Sequence, residues 1–384
     1  MKMIHSADWH LGRVYHGVSL LDDQRYLLDQ FVDLVRDEKP DVVLIAGDVY
    51  DRSVPPAEAV RLLDEVLTRI VIGLRVPVVM IAGNHDGPDR LGFGARLLEA
   101  AGLTVRGGVD ATVAPVVLAD RHGEVAIYPL PYAEPALLRR QFGDVSLADH
   151  QRAIAAQLDR IRAQHEPGRR SVVLAHAFVA GGAESESERP LSVGGSGAVG
   201  PEVFAGFDYV ALGHLHRCQS VGSEPIHYSG SLLKYSFSEV DQVKSVSVVE
   251  LDGTGALALR RVQLSPRRDL RVISGSLSEL LARAATDPGR DDYLLARLDD
   301  TGALLDAMGR LRAAYPNALA IERPRLNGSA GVGPGADHRQ IGIAELFQGF
   351  YHDMTGVALD DCASGFLQAE IEAMEGTVRE VSLD

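Results

Sequence analysis

Cysteine, lysine and long apolar runs are what this sequence is short of. Its 384 residues include only two cysteines, Cys218 and Cys362. They are too few and too far apart for a disulfide framework, which excludes a small secreted scaffold and fits a reducing compartment. No apolar run reaches bilayer-spanning length, and Met1-Lys2-Met3-Ile4-His5-Ser6 reads as a short strand rather than a signal peptide. The expectation is a soluble cytoplasmic protein. Net positive charge is missing as well: a formal charge of -15 and a pI near 5.3 argue against binding nucleic acid through bulk charge. Bound divalent cations or a local arginine cluster would have to supply the field. Lysine occurs only at positions 2, 39, 234 and 244, so nearly all of the 38 basic residues are arginine, which can clasp phosphate bidentately. An arginine-favouring, GC-rich genome accounts for most of that bias.

What is present is size and an ordinary globular composition, 46% hydrophobic and 24% charged. A chain this long exceeds what one core supports, so a main domain with at least one smaller one is expected. The first half alternates strands and helices, predicting a mostly parallel sheet. A strand at 2–7 ends in Asp8-Trp9-His10-Leu11-Gly12, and apolar residues at helical spacing run from Gln24 to Glu38, stopped by Pro40. The run Asp41-Val42-Val43-Leu44-Ile45-Ala46 ends in Gly47-Asp48-Val49-Tyr50-Asp51. After a helix over 56–74, a strand at 77–82 ends in Gly83-Asn84-His85-Asp86, and a helix is expected over 90–101. Strands at 115–119 and 124–129 and a helix over 147–161 lead to the run 171–175, which delivers His176. Residues 181–200, rich in Gly, Ser and Glu, read as a long mobile surface loop whose negative charge is badly placed for DNA. Tyr209-Val210-Ala211-Leu212 then delivers Gly213-His214-Leu215-His216, and strands near 226–229, 244–251 and 256–264 should complete a sandwich.

Past Ser265-Pro266-Arg267-Arg268 the pattern restarts as a small α/β unit: strand 269–273, helix 276–285, strand 293–298, helix 302–314, strand 318–322. The expected division is 1–265, 266–326, a Gly-rich linker at 327–341, and terminal helices within 342–384, near 342–355 and 364–380.

The strand-end residues Asp8, His10, Asp48, Asn84, His176, His214 and His216 form one constellation. Carboxylate oxygens, an amide oxygen and imidazoles suit Mn²⁺, Fe²⁺ or Zn²⁺ better than Ca²⁺. Seven donors are too many for one small ion and suit two, with Asp48 as the bridge. Each motif alone is weak, since Asp-x-His at a strand end is more often a turn and His-x-His is often two solvated rings. Their joint occurrence, each behind an apolar strand, carries the argument. Asp51 reads as a residue that fixes a ligand histidine or its turn rather than as a ligand.

These motifs, in this order, resemble the calcineurin-like metallophosphoesterase superfamily. Within it, Ser6-Ala7-Asp8-Trp9-His10-Leu11-Gly12, Gly47-Asp48-Val49-Tyr50-Asp51-Arg52, Tyr228-Ser229-Gly230-Ser231 and Phe237-Ser238-Glu239 resemble the SbcD-type nuclease subunits of DNA double-strand-break repair. The resemblance is strong over residues 1 to about 265 and rests on layout beyond. It implies a four-layer α/β/β/α sandwich with a small α/β capping domain at 266–326 that helps present DNA, followed by C-terminal helices. It implies one ion on Asp8, His10, Asp48 and His216, the other on Asp48, Asn84, His176 and His214, Mn²⁺ most of all, with His85 as the non-ligand catalytic histidine. Two partners follow from it: an SbcC-type ATPase, docked on helices carrying Leu346, Phe347, Phe350, Tyr351, Phe366, Leu367 and Ile371, and DNA. It further implies a homodimer within a heterotetramer, for which helices 56–74 and 90–101 offer Leu62, Leu63, Val66, Leu67, Ile70, Leu97 and Leu98, a stripe that also suits a buried core. The cell compartment it implies is the cytoplasm, at the nucleoid. Arg13, Arg52 and Arg90 follow metal-bearing turns and are candidate DNA contacts. The rival readings are a free-standing phosphodiesterase for cyclic nucleotides or other small esters, which does not need the C-terminal third, and a metal-free scaffold, which the intact donor set argues against.

Overall fold

The computed structural model describes residues 1–110, 112–191, 197–323, 343–369 and 371, and the chain divides into two units, Met1–Arg267 and Arg268–Asp384. The linker expected at 327–341 and the end of the last expected helix lie outside the described residues.

In the first unit, β1 (Lys2–Ser6) is followed by a short hairpin, β2 (Val14–Tyr15) and β3 (Val18–Ser19), and then by α1 (Leu21–Glu38). Helix α1 ends at Lys39 in a left-handed conformation (φ 47°), ahead of Pro40. Next come β4 (Val42–Ala46), α2 (Ala57–Thr68) with a wider turn over Arg69–Gly73, and β5 (Val78–Ile81). The helix expected over 90–101 is broken into α3 (Pro88–Leu91) and α4 (Ala95–Glu99), because Gly94 between them adopts φ 72°. Strand β6 (Leu103–Arg106) completes one six-stranded sheet together with β13 (Ser245–Leu251) and β14 (Leu257–Gln263), in the order β14-β13-β1-β4-β5-β6. Strands β1, β4, β5 and β6 are parallel, and the β13–β14 hairpin adds an antiparallel edge.

The second sheet has the order β11-β12-β10-β9-β8-β7. It is built from β7 (Val116–Asp120), β8 (Gly123–Leu130), β9 (Arg170–His176), β10 (Tyr209–Gly213), β11 (Gln219–Val221) and β12 (Ser223–Tyr228), with α5 (Pro135–Phe142) and α6 (His150–Gln164) between β8 and β9. The side-chain period of two gives each sheet two apolar faces. Met3, Val42, Leu44, Ala46, Val79 and Ile81 meet Val125, Ile127, Val172, Leu174 and Ala211 between the sheets. The alternate residues Tyr128, Val173, Ala175, Val210 and Leu212 pack with Leu158 and Ile161 of α6. On the far side Ile4, Val43 and Ile45 are buried, as are Leu27, Leu28 and Phe31 of α1 and Leu62, Leu63 and Val66 of α2. The result is the four-layer α/β/β/α sandwich. Because β4 has layers on both sides, its five side chains are wholly buried, which is why it reads as an unbroken apolar run.

One polar pocket sits within this core. His5 Nδ1 lies 2.8 Å from the Tyr209 hydroxyl and its ring is edge-on to His227, whose Nε2 is 2.9 Å from Ser247 Oγ. Burial drives both imidazoles towards neutrality, His227 to about 3.

The second unit is a three-stranded parallel sheet, β15 (Leu270–Gly275), β16 (Tyr293–Leu298) and β17 (Ala318–Glu322), with α7 (Leu277–Arg283) and α8 (Ala307–Ala314) packed through Leu277, Leu280, Leu294, Leu298 and Leu311. Ser276 and Glu279 close a reciprocal cap at the start of α7. Helix α9 (Ile343–Thr355) follows, with Phe347 and Tyr351 exposed; Phe366 is exposed further on. Among the described residues, no helix is long and apolar enough to cross a membrane.

Candidate metal centre

The parallel strands of both sheets end on one edge, and there the polar tips converge. The loop after β1 runs alongside the loop after β4: the amide of Asp8 donates to the carbonyl of Gly47 (3.1 Å) and that of His10 to Asp48 (2.9 Å). Close approach of the strand ends is possible only because glycines precede the candidate ligands. A Cβ on Gly83 would stand 2.2 Å from Asp48 Oδ1, and one on Gly213 would stand 1.9 Å from the carbonyl oxygen of Ala46. The candidate ligands themselves hold unusual backbones, with φ of 53° at Asp8, 44° at His10, 48° at Asp48 and 107° at His214. Such residues cost about 1–3 kcal/mol each and persist where the surroundings over-determine them.

All seven expected donors come together here. Asp8, His10, Asp48, His176, His214 and His216 are buried, and Asn84 is half-buried. Asp8, His10 and His216 bring ligand atoms within 4.8 Å of one another, as do Asp8, Asp48 and His176. Hydrogen bonds assign the tautomers of His176 and His216. His176 Nδ1 lies 2.9 Å from the Ala46 carbonyl and so carries the proton, leaving the Nε2 lone pair to face Asn84 Oδ1 at 2.9 Å and Asp48 Oδ2 at 3.5 Å. His216 Nδ1 donates to Ser187 Oγ (2.6 Å), whose own hydroxyl donates to Glu239, so Nε2 is again bare. His10 turns Nδ1 to the Asp51 carboxylate at 3.5 Å. Its Nε2 then faces the Nε2 of His216 at 3.1 Å.

The Nε2 atoms of His10 and His216 stand 3.1 Å apart, a spacing that either an imidazole N–H donating to its neighbour or two lone pairs facing a common cation would give. Two ligands about 2.1 Å from one ion lie roughly 3.0–3.4 Å apart for angles between octahedral and tetrahedral, so this spacing is compatible with a coordination shell. The Asn84 amide turned over would donate to both of its histidines, so the fit rests on the whole cluster of carboxylates and imidazoles. Burial and the charge of Asp48 push the Asp8 carboxyl well above its usual range. Burial works in the same direction on Asp48, but the imidazoles of His176, His10 and His85 and the amide of His85 outweigh it and hold that carboxyl well below. The clustered carboxylates and imidazoles therefore fit divalent metal binding.

His85 stands beside this set. Its Nδ1 lies 2.9 Å from the Asp51 carbonyl and its Nε2 4.0 Å from Asp48 Oδ2, with its ring edge-on to His10. Asp51 faces His10 with one oxygen, which also accepts from Arg13 Nη1 at 3.2 Å. Arg13 and Arg52 line a cleft with His85 and Asn84. Arg90 is placed differently, its guanidinium donating to the carbonyl of Ser53 at 2.8 Å.

Several contributors were not singled out from the sequence. Asp86 accepts from the amides of Gly83 (2.9 Å), Val49 (3.1 Å) and Tyr50 (2.8 Å) and so ties the β4 and β5 tips together; burial and the Asp48 charge push its carboxyl up to about 7. Gln24 of α1 donates to the carbonyl of His10 (2.7 Å) and accepts from Gly12 N (3.0 Å). Glu239 pairs with Lys244 at 2.5 Å behind His216. The signals were there: Asp86 closes Gly83-Asn84-His85-Asp86, and Lys244 is one of four lysines. The expected mobile loop also differs. Within it Ser187 is buried, and Glu188 accepts from the amide of His216 at 2.8 Å. Ser187 and Glu188 serve the turn that carries His216, whereas Glu184 and Glu186 are exposed.

Comparison with known proteins agrees with this architecture. Residues 1–218 match the family described as calcineurin-like phosphoesterase. Residues 266–355 match SbcD_C, described as the type 5 capsule protein repressor C-terminal domain. The two matches in this order support an SbcD-type nuclease subunit. Among solved structures the chain is similar to GAP50, the anchor in the inner membrane complex of Plasmodium, at 12% identity, covering 84% of this chain and 96% of that one with a TM-score of 0.37. It is also similar to TT1561 of Thermus thermophilus, at 14% identity, covering 68% and 99% with a TM-score of 0.35.

Proposed function

The chain belongs to the calcineurin-like phosphoesterase family, and from that premise we propose that it is a nuclease of SbcD type, hydrolysing phosphodiester bonds at DNA ends and hairpins with two divalent ions, Mn²⁺ in preference. The observation that carries the reading is the convergence of the carboxylates and imidazoles, with the Nε2 atoms of His10 and His216 3.1 Å apart, in a chain that continues into an SbcD_C domain. When bound, the ions would activate a water and stabilise the attacking and leaving oxygens of an in-line displacement at phosphorus. Asp8, His10, Asp48 and His216 would hold one ion, and Asp48, Asn84, His176 and His214 the other. His85, fixed through Nδ1 against the Asp51 carbonyl, turns Nε2 to the cleft, where as an imidazolium it would hydrogen-bond a phosphate oxygen or protonate the leaving one. Asp51 orients His10 and Arg13. Arg13 and Arg52 give an otherwise acidic protein a local grip on the DNA backbone, and Arg90 contributes through the Ser53 carbonyl.

In this reading the chain works in the cytoplasm with an SbcC-type ATPase bound through its C-terminal helices, and it dimerises. Leu62, Leu63, Val66, Leu67 and Ile70 are buried within the protomer, so self-association would use Phe93, Leu97 and Leu98 around α4, which are exposed at 85%, 82% and 38%.

The test is an assay of the purified protein on linear and hairpin duplex DNA across Mn²⁺, Mg²⁺ and Zn²⁺. Cleavage with Mn²⁺ is expected, and His85→Ala should lose about 10²–10⁴-fold in rate while retaining two bound ions. A protein that hydrolyses a small diester but no DNA under any metal is a small-ester phosphodiesterase instead.

A further inference from the structure

The segment that read as an acidic loop carries one basic residue to the mouth of the centre. Arg189 lines, with Arg13, Arg52, Asn84 and His85, an open cleft of about 500 Å³. Asp51 is the carboxylate of this cleft, and it is shared, with Arg13 at 3.2 Å and Arg52 at 3.7 Å. Three guanidinium charges against that one carboxylate leave two positive charges in a protein whose net charge is -15. Arg189 is exposed and, among the described residues, forms no ion pair and no side-chain hydrogen bond.

The backbone that presents it is tied down. Glu188 accepts from the amide of His216 (2.8 Å) and from Ser185 Oγ (2.7 Å), Ser187 Oγ accepts from His216 Nδ1 (2.6 Å), and the amide of Glu186 donates to Ser238 Oγ (3.1 Å). Residues 185–188 are thus bonded to the His216 turn and to the segment around Ser238, and Arg189 is the next residue in the chain. Pro190 behind it restricts the Arg189 backbone to extended conformations. The cation is delivered to the cleft with little backbone freedom left to lose on binding.

We infer that Arg189 is a substrate-positioning residue that clasps a phosphate neighbouring the scissile one and so favours a polynucleotide over a small diester; the inference rests on the nuclease reading. The planar guanidinium matches two phosphate oxygens at once. A diester with a single phosphate fills the metals and leaves Arg189 without a partner, so discrimination between substrate sizes falls to this residue and its cleft neighbours. The acidic residues beside it act as its mount, since Glu188 is occupied by His216 and Ser185.

The experiment uses the full-length protein with Mn²⁺ and two substrates, duplex DNA and bis(p-nitrophenyl) phosphate. For Arg189→Ala the KM on DNA should rise about tenfold with kcat within about twofold, and the dependence of log(kcat/KM) on log salt should flatten by about one charge. Arg189→Glu should raise KM further and Arg189→Lys should recover part of the loss. The fall on the small diester should be much smaller, and Arg36→Ala, a surface arginine paired with Asp33 on α1, should behave as wild type on both. An unchanged KM on DNA in Arg189→Ala overturns the inference, as does an equal fall on both substrates with altered metal content, which would mean that the residue acts through His216. Failure of the wild type to cut DNA while hydrolysing the diester removes the nuclease reading and this inference together. DNA cleavage that is indifferent to Arg189 removes this inference alone.

Discussion

Replacing Glu239 by glutamine tests whether the histidine at the end of the β10 turn is held by charge. Glu239 is wholly buried; it pairs with Lys244 at 2.5 Å, accepts from Ser187 and Ser185, and stands 3.5 Å from His216 Nδ1. Lys244, itself 8% exposed, also donates to the carbonyl of His216 and to Gln242, both at 2.8 Å. Burial lowers the Lys244 pKa despite the opposing charge of Glu239, and it works to raise that of Glu239, but His216 with Lys244 outweighs it and holds the Glu239 carboxyl well below its usual range. Glu239→Gln keeps the shape and strands the ammonium, and breaking a buried pair from one side costs about 3–5 kcal/mol. Lys244→Met should cost a similar amount. The double variant should cost well under the sum, giving a coupling energy of about 2 kcal/mol or more in urea unfolding of the four proteins. Because the same carboxylate orients the ring of His216 through Ser187, Glu239→Gln should also weaken Mn²⁺ binding about 10–100-fold by calorimetry. A loss below about 1 kcal/mol with unchanged metal affinity would refute the reasoning, since it would mean that water or a rearranged Ser187 replaces the charge.

Three further outcomes follow from the geometry. His227, buried neutral with a pKa near 3, refuses the proton that the unfolded chain takes up below about pH 6.5, so its contribution is complete above that pH and is lost as pH falls towards 3. Stability measured by urea unfolding should drop by about 2 kcal/mol more between pH 7.5 and pH 5 in the wild type than in His227→Gln; equal slopes would clear His227 of this role. Gly83→Ala should abolish metal binding or fold poorly, because its Cβ would stand 2.2 Å from Asp48 Oδ1, and normal metal stoichiometry in the soluble variant would contradict the packing. Truncation after residue 340 should end co-purification with the partner ATPase, and undiminished binding would relocate that interface.

The sequence by itself determined the layers and which polar residues stand at the strand ends. Apolar runs such as 42–46 and 171–175 are continuous because strands buried on both faces have no polar side to show, so period and length sufficed to place them. Aspartate, asparagine and histidine at the ends of such runs were legible because parallel strands deliver their carboxyl ends to one edge. The second unit was likewise visible as a restart of the alternation. What the sequence did not reveal were features set by pairs of residues far apart in the chain. Edge strand β11 is only three residues long, and Gly94, which splits the helix expected over 90–101, does so through a conformation that spacing does not encode. Helix α2 buries Leu62 and Val66 within the protomer, a choice that amphipathic spacing leaves open until a neighbouring layer is in place. Only the tertiary structure decided which nitrogen each histidine turns to the centre, because that depends on Ala46, Ser187 and Asp51 lying behind His176, His216 and His10. Composition marked residues 181–200 as a free acidic loop, yet the amide and ring of His216 bind Glu188 and Ser187 across 28 and 29 positions of chain. Charge in a sequence is a sum, whereas in the fold it has partners, and those partners turn an acidic loop into the support for one histidine and one arginine.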